Sequence, residues 1–155
     1  MDLELPNDFR EFLELLNANG VRYLLIGGFA VGFYGYPRTT NDIDIFIASD
    51  EENAQRLIKA LADFAFPHDT LSTEIFTEPN SLVKLGIAPV KIEILNFASG
   101  LEFEKAYENR IIGEFEGVEV SMVGLDDLKT NKEVSGRYKD LDDLEHLKRL
   151  SRERK

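Results

Sequence analysis

Residues 24–47 read LLIGGFAVGFYGYPRTTNDIDIFI, an apolar run that ends in two glycines, followed by a second apolar run that begins with two acids. Successive side chains of a strand point to opposite faces, so Asp42 and Asp44 share one face and the isoleucines occupy the other. Two steps of strand rise separate the carboxylates by about 6–7 Å, close enough for them to repel each other. By itself the pattern also has an ordinary explanation, because aspartate is common where a loop enters a strand.

Length, composition and charge narrow the class of protein. The 155 residues, 43% hydrophobic and 30% charged, indicate one globular domain, which we place at residues 1–155 with a core over 7–122 and a C-terminal helical segment over 124–150. The 18 basic and 29 acidic residues give a net charge of −11, and such a field repels nucleic acid. The absence of cysteine excludes disulfides and thiolate catalysis. The start MDLELPND lacks a signal-peptide pattern and no apolar run reaches membrane length, so we expect a cytoplasmic protein without membrane association.

The spacing of apolar residues predicts the order of helices and strands. We expect helices over residues 7–20, 29–36, 49–64, 101–110, 125–134 and 140–150. Ser49 with Glu52 predicts a capping box at the third of these helices. Strands are expected at 21–28 and 42–48 and then, where the period changes to two, at STEIFTE, SLVKLGI, VKIEILNF, RIIGEFE and VEVSMV. The predicted fold class is α/β of the α+β type, with a mixed, largely antiparallel sheet flanked by helices.

Gly27, Gly28 and Glu93 each admit a structural and a functional interpretation. The two glycines stand between a strand and a helix, where they form either a tight turn or a site at which phosphate comes close to the backbone. Glu93 lies inside the apolar strand VKIEILNF, so its carboxylate either reaches solvent or meets a cation.

These features in combination resemble the nucleotidyltransferase superfamily, which includes polymerase beta palms, aminoglycoside nucleotidyltransferases and minimal nucleotidyltransferases. Residues 24–47 are especially similar to the bacterial branch that contains the AbiEii-type abortive-infection toxins. Residues 125–147, LDDLKTNKEVSGRYKDLDDLEHL, resemble the helical signature of that branch, in which a lysine on one helix precedes Arg-x-Lys-Asp at the start of the next. The two matches and the strand VKIEIL between them span most of the chain.

The resemblance implies an enzyme that transfers a nucleoside monophosphate from an NTP to an acceptor hydroxyl, with Mg²⁺ or Mn²⁺ as cofactor. Asp42 and Asp44 would hold the metal ions, and Glu93 would complete the site as a ligand or as the base that activates the acceptor. Paired divalent ions suit this chemistry because they neutralise the triphosphate and align the attacking oxygen. Carboxylate oxygens are the ligands that magnesium prefers.

The resemblance also implies a set of nucleotide-binding residues, with Arg38 placed where the triphosphate enters the site. The set is Gly27, Gly28, Arg38, Lys132, Arg137 and Lys139. For the last three, a solvated helix face or pairing with a helix dipole is an equal alternative. Asp140 and Asp143 have a structural alternative of their own, because D-x-x-D at a helix start caps its own backbone.

The resemblance suggests a toxin–antitoxin or phage-defence setting, in which the chain acts as a homodimer or with a partner protein. The acceptor would be a protein, a tRNA or a small molecule, and the acidic balance favours a protein or a small molecule over bare RNA. A non-catalytic nucleotide-binding or antitoxin module of the same fold is the alternative.

Overall fold

The computed structural model describes residues 7–35, 42–64, 71–86 and 91–153. Within these ranges the helices are α1 (Asn7–Ala18), α2 (Gly27–Phe33), α3 (Glu51–Asp63), α4 (Thr73–Thr77), α5 (Phe103–Glu108), α6 (Leu125–Ser135) and α7 (Tyr138–Glu153). The strands are β1 (Tyr23–Ile26), β2 (Asp42–Ile47), β3 (Leu82–Leu85), β4 (Lys91–Leu95), β5 (Ile111–Phe115) and β6 (Val118–Met122). None of the helices in the described ranges has both the length and the apolar character that a membrane span requires.

The strands form one six-stranded sheet in the order β3-β4-β2-β1-β6-β5. Strands β1 and β2, β3 and β4, and β5 and β6 pair antiparallel, whereas β2 with β4 and β1 with β6 pair parallel. The predicted mixed, largely antiparallel sheet with flanking helices is therefore confirmed. The parallel pairing of β2 with β4 joins segments that are far apart in sequence and brings the acids of both strands to the middle of the sheet.

One face of the sheet in this central region packs into the hydrophobic core. Ile43 and Ile45 of β2 and Ile92 and Ile94 of β4 are fully buried there, together with the apolar faces of α1 and α3. Burial of each such side chain contributes about 1.5–3 kcal/mol relative to leaving it exposed. The alternation of the strand then forces the acids of β2 onto the opposite face.

That opposite face is closed at one end and open at the other. Phe46 is buried because Phe103 of α5 packs on it edge to face, with ring centroids 5.1 Å apart. Asp42 and Asp44, nearer the start of β2, stay partly accessible. This face of the sheet is therefore covered by Phe103 at one end and open around Asp42 and Asp44 at the other.

The buried side chain of Asn53 fixes the strands beneath this region. Its Oδ1 accepts from the backbone N–H of Arg22 at 2.7 Å, and its Nδ2 donates to the carbonyls of Arg22 and Ala48 at 3.1 and 2.9 Å. One amide thus joins α3 to the chain just before β1 and just after β2. A hydrophobic residue at this position would remove three hydrogen bonds to the backbone.

Two local predictions were wrong. The N-cap of α3 is Asp50, whose Oδ2 accepts from the N–H of Asn53 at 3.0 Å, so Ser49 and Glu52 do not form the predicted capping box. Aspartate caps a helix as well as serine does, and its position one residue later sets the helix start. The segment STEIFTE is the helix α4 rather than a strand, because its two apolar residues are adjacent in sequence and only Phe76 is fully buried.

Candidate active site

The pairing of β2 with β4 places Asp44 directly beside Glu93. Side chains at such opposed positions share a face, and neighbouring strands lie about 4.8 Å apart. Asp42 lies two residues earlier on the same face, opposite Lys91. On the other side of Glu93, Lys84 of β3 approaches it with Nζ 3.8 Å from Oε1. The three predicted acids therefore share one sheet face, with Asp44 and Glu93 as the close pair.

Asp44 lies in an environment that disfavours its charge. Burial, a hydrogen bond with Glu93 and the negative charges of Glu93 and Asp42 together raise the pKa of Asp44 to about 7, and the positive charge of Lys132 opposes this increase. One carboxylate oxygen, Oδ1, is buried and has no hydrogen-bond partner in the part of the chain that the structure describes. A carboxyl group that must either take up a proton or meet a cation at neutral pH is unusual outside functional sites.

Gly27 provides the space that Asp44 occupies. Its φ of +75° is favourable for glycine, and a Cβ built at this position would lie 2.0 Å from Asp44 Oδ2. No side chain fits at that distance, so the carboxylate lies directly against the backbone at the start of α2. Glycine is therefore required here both by backbone conformation and by close approach.

A buried ion cluster joins α6 to α7 above the acids. Lys132 Nζ lies 3.1 Å from Asp140 Oδ1 and 3.2 Å from Asp143 Oδ2, and all three side chains are almost fully buried. Ser135 Oγ and Arg137 Nε donate to Asp140 Oδ2 at 2.6 and 2.7 Å. The alternative that Lys132 lies on a solvated helix face is wrong. Asp140 and Asp143 are counter-ions of Lys132, so the D-x-x-D pattern does not act simply as a backbone cap.

The cluster has a defined effect on the ionisation of Asp140. Burial would raise the pKa of Asp140, but the hydrogen bonds from Ser135, Arg137 and Lys132 outweigh it and lower the pKa to about 2. A carboxyl group with a depressed folded pKa contributes stability that is complete above the unfolded pKa of about 4. That contribution is lost as the pH falls from there through about 2.

Arg137 holds Asp140 through Nε while 76% of its side chain stays exposed. Asp140 raises the pKa of Arg137 most, and the charges of Asp44 and Glu93 add to the effect, so the guanidinium lies in the field of the acids. Gly136, in the left-handed conformation with φ +66°, ends α6 and lets the chain turn towards α7. The turn brings Arg137 and Lys139 to the rim of the site.

These elements enclose a cleft of about 400 Å³. One wall is polar and cationic, formed by Gly27, Gly28, Lys132, Ser135, Arg137, Lys139 and Asp140. The other wall is largely apolar, formed by Leu82, Leu95, Phe97 and Ala98 with Ser99 and Asn131 above them. Asp44 and Glu93 also line the cleft, on the same sheet face as Leu82 and Leu95. The volume is within the usual range for pockets that bind small ligands.

The structure brings most of the predicted site residues together. Gly27, Gly28, Asp44, Glu93, Lys132, Arg137 and Lys139 line the cleft. Asp42 shares the sheet face but does not line the cleft, and Arg38 lies outside the described residues. Within the described ranges, no group of three or more His, Cys, Asp or Glu side chains is arranged to hold a metal ion.

Sequence reasoning missed Ser135, Asn131 and the apolar wall. Ser135 stands directly before the glycine that ends α6, a position that suggests a local hydrogen bond but not one to an aspartate of the next helix. Phe97 had a clearer signal, because an aromatic residue followed by Ala-Ser-Gly at a strand end marks a turn that exposes a ring.

A protein-family model matches almost the whole chain. The model of a family described as nucleotidyl transferase of unknown function (DUF2204) matches residues 6–155. No curated protein matches this sequence at a significant level.

Solved structures share the fold. A predicted nucleotidyltransferase (TM1012) from Thermotoga maritima gives a TM-score of 0.63 at 18% identity, over 98% of this chain and 97% of that chain. The lincosamide antibiotic adenylyltransferase LnuA, solved with lincomycin bound, gives 0.63 at 15% identity, over 95% of this chain and 98% of that chain. An antigenic nucleotidyltransferase-like protein from Paracoccidioides brasiliensis gives a TM-score of 0.53 at 20% identity, over 94% of this chain and 78% of that chain. At these identities the likeness shows the fold.

Replacing Gly27 by alanine tests the close approach of Asp44 to the backbone. Gly117→Ala is the matched control, because Gly117 has a similar φ of +86° but nothing within 4 Å of the added Cβ. Both variants incur the strain of a positive φ, about 1 kcal/mol. We expect Gly27→Ala to lower the free energy of unfolding by at least about 1 kcal/mol more, because Asp44 must move. Equal losses in denaturant unfolding would contradict the contact.

Replacing Lys132 by methionine tests the buried ion cluster. Two buried aspartates would lose the ammonium group that lies between them, so we expect a loss of about 3–5 kcal/mol in the free energy of unfolding. Lys59→Met is the control, because Lys59 pairs with Asp63 at 3.2 Å but its side chain is 69% exposed. An exposed pair contributes about 0–1 kcal/mol. Similar losses in the two variants would show that burial adds nothing to the Lys132 cluster.

Proposed function

We propose that this chain, which belongs to the nucleotidyl transferase family of unknown function whose model spans residues 6–155, transfers a nucleoside monophosphate from an NTP to an acceptor hydroxyl. The observation that carries the proposal is the position of Asp44. Among the described residues its buried Oδ1 has no hydrogen-bond partner, its Oδ2 lies against Gly27, and the carboxyl group stands beside Glu93 in a cleft with a cationic wall. This arrangement suits a reaction in which a cation and a triphosphate meet at the carboxyl pair.

The residues fit a hard divalent cation, Mg²⁺ or Mn²⁺. The fit rests on the Oδ1 of Asp44, buried without a hydrogen-bond partner among the described residues, and on the raised pKa of Asp44, which follows from burial and from Glu93 and Asp42 nearby. Asp44 and Glu93 would hold the ion, whereas Asp42 lies on the same sheet face outside the cleft and stays a ligand proposed from the sequence. When bound, such an ion neutralises charge on the phosphates and favours in-line displacement. Carboxylate oxygens are suitable ligands for it.

The cationic wall would bind the triphosphate. Arg137 and Lys139 extend exposed cationic groups into the cleft, and Gly28 adds backbone without a side chain at the start of α2. Lys132 is committed to Asp140 and Asp143, so its proposed role is to fix this wall and to supply positive charge near Asp44. Arg38, which the resemblance also places at the triphosphate, stays a proposal from the sequence.

Glu93 is the proposed base. The acceptor oxygen would attack the α-phosphorus while the bond from that phosphorus to the bridging oxygen of pyrophosphate breaks. The hydroxyl proton passes to the Glu93 carboxylate, and pyrophosphate leaves with the electron pair of the broken bond. Glu93 is suited to this role because it lies at the carboxyl pair and its side chain is 26% exposed to the cleft.

The setting follows from two different resemblances. The AbiEii-type sequence resemblance favours a toxin–antitoxin or phage-defence pair, with a protein or tRNA acceptor. The structural neighbour LnuA is named for a lincosamide antibiotic, which favours a small-molecule acceptor. The net charge of −11 agrees with the second resemblance better than with bare RNA.

The proposal predicts a specific defect in Asp44→Asn. Incubation with each α-phosphate-labelled NTP, Mg²⁺ and a cell extract should give labelled product with wild type and none with the variant. Glu114→Gln, an exposed acid on β5, is the control and should keep full activity. Mg²⁺ at ten times its dissociation constant should stabilise wild type by about 1.4 kcal/mol and Asp44→Asn by much less.

The stability of the metal-free wild type depends on pH in a defined direction. The folded pKa of Asp44, about 7, lies above its unfolded pKa, so ionisation destabilises wild type progressively between about 4 and 7. Metal-free Asp44→Asn should therefore melt at or above the wild-type temperature at neutral pH. A variant that melts well below wild type and responds equally to Mg²⁺ would make the aspartate structural. NTP binding without transfer would favour the non-catalytic module.

A further inference from the structure

We propose that the apolar wall of the cleft is an acceptor subsite, and that the acceptor is a small neutral or cationic molecule with a hydroxyl on an apolar body. The proposal rests on the proposed function and specifies its second substrate. We place the subsite at Leu82, Leu95 and Phe97, because neither the carboxyl pair nor the cationic wall requires these residues.

The apolar wall continues directly from the acids along the sheet. Leu82 of β3 pairs with Leu95 of β4, next to the pairing of Lys84 with Glu93 on the same face. Phe97 follows two residues after Leu95. Leu82 is 46% exposed and Phe97 38% exposed, and both line the cleft. Large apolar side chains left accessible inside a cleft provide surface that a ligand can cover.

Hydrogen bonds hold the chain before Phe97 firmly in place. The amide of Asn96 donates to the carbonyls of Phe76 and Glu78 at 3.1 and 2.6 Å, and its Oδ1 accepts from the N–H of Ser81 at 2.8 Å. These bonds attach the end of β4 to the segment between α4 and β3.

The chain after Phe97 is held as well. Asn131 Nδ2 donates to the carbonyl of Ser99 at 3.0 Å, and Gly100 lies so close to α6 that an added Cβ would be 2.7 Å from Val134 Cγ2. With both sides anchored, the exposure of Phe97 is a fixed property of the cleft. A preorganised aromatic surface binds a ligand at a lower entropic cost than a mobile one does.

The geometry of in-line displacement indicates which substrate contacts the apolar wall. The attacking and leaving oxygens lie roughly opposite each other across the transferred phosphorus. Pyrophosphate is the leaving group and would lie at Arg137 and Lys139, at the start of α7, so we assign the acceptor to the side of the cleft that the sheet forms. Leu82 and Leu95 lie on that sheet face, two residues from Lys84 and Glu93, so Glu93 stands beside the apolar wall, where it can receive the hydroxyl proton.

The charges in the cleft restrict the chemical class of the acceptor. The cations that line it lie on the wall assigned to the triphosphate, and Lys84 beside the apolar wall is already opposite Glu93. Among the described residues no row of cations lies there to neutralise a phosphodiester backbone, and the net charge of −11 repels one. A cleft of about 400 Å³ is in the range of sites for small ligands rather than for a folded acceptor.

The test measures transfer to defined alcohols. Wild type is incubated with Mg²⁺ and the NTP that it binds, together with neutral aryl alcohols from phenylethanol to naphthylethanol, glycerol, or an RNA oligonucleotide. We expect mass spectrometry to show transfer to the aryl alcohols in preference to glycerol and RNA. Phe97→Ala and Leu82→Asn should each raise KM for the aryl alcohol about tenfold, the effect of losing about 1.4 kcal/mol of apolar contact.

Three controls separate this subsite from the nucleotide site. Phe97→Leu should retain most of the acceptor affinity because it keeps the apolar surface. Ile112→Ala removes an exposed apolar side chain on β5, outside the cleft, and should leave KM unchanged. The affinity for Mg²⁺ with NTP, measured by thermal shift, should change by less than about twofold in Phe97→Ala and Leu82→Asn.

The outcomes are distinct. Loss of NTP affinity in Phe97→Ala and Leu82→Asn, in parallel with KM, would overturn the proposal and make the wall a nucleobase site. Transfer to RNA or to protein of an extract, unchanged in both variants, would also overturn it while leaving the proposed function intact. Wild type that binds NTP but transfers to no acceptor in either assay would overturn the proposed function itself.

Discussion

The structure of the cleft depends on the proximity of two carboxyl groups that repel each other. Asp44 and Glu93 are opposed by strand pairing, so the register of β2 with β4 fixes their backbone positions side by side. A protein gains nothing in stability from this pair, since the burial of Asp44 and the nearby charges favour its neutral form at a cost to folding. Such a local cost is characteristic of functional sites and is tolerated because the surrounding core is large.

The elements around the two acids give space to Asp44 and oppose the negative charge of the pair. Gly27 removes the side chain that would otherwise occupy the place of Asp44, and Lys132 supplies positive charge from above. Lys132 is itself held by Asp140 and Asp143, so the same cluster that fixes α6 against α7 also directs Arg137 and Lys139 to the cleft. Lys132 thus both supplies charge near Asp44 and holds together the helices that carry the cationic wall.

The sequence predicted much of this and missed what depends on long-range pairing. Alternation placed Asp42 and Asp44 on one face, and the resemblance to nucleotidyltransferases is confirmed at the level of the family, whereas the AbiEii-type branch stays a prediction. The pairing of Asp44 with Glu93 could not be derived, because it depends on which strands become neighbours across about fifty residues of chain. A solvated Lys132 was an equal alternative because α6 has a weak apolar face and the counter-ions of Lys132 belong to the next helix. Phe97 was missed because the Ala-Ser-Gly that follows it indicates a turn but not a ring that lines a cleft.

A ¹³C NMR titration of the Asp44 side-chain carboxyl group tests directly whether Asp44 and Glu93 form a cation site. We predict a midpoint near 7 in metal-free protein, and a midpoint well below that value once Mg²⁺ is present. In Glu93→Gln the midpoint should fall yet stay above the ordinary value of about 4, because burial, the largest cause, remains. A midpoint near 4 in metal-free wild type that does not respond to Mg²⁺ would contradict the claim that the two acids form a cation site.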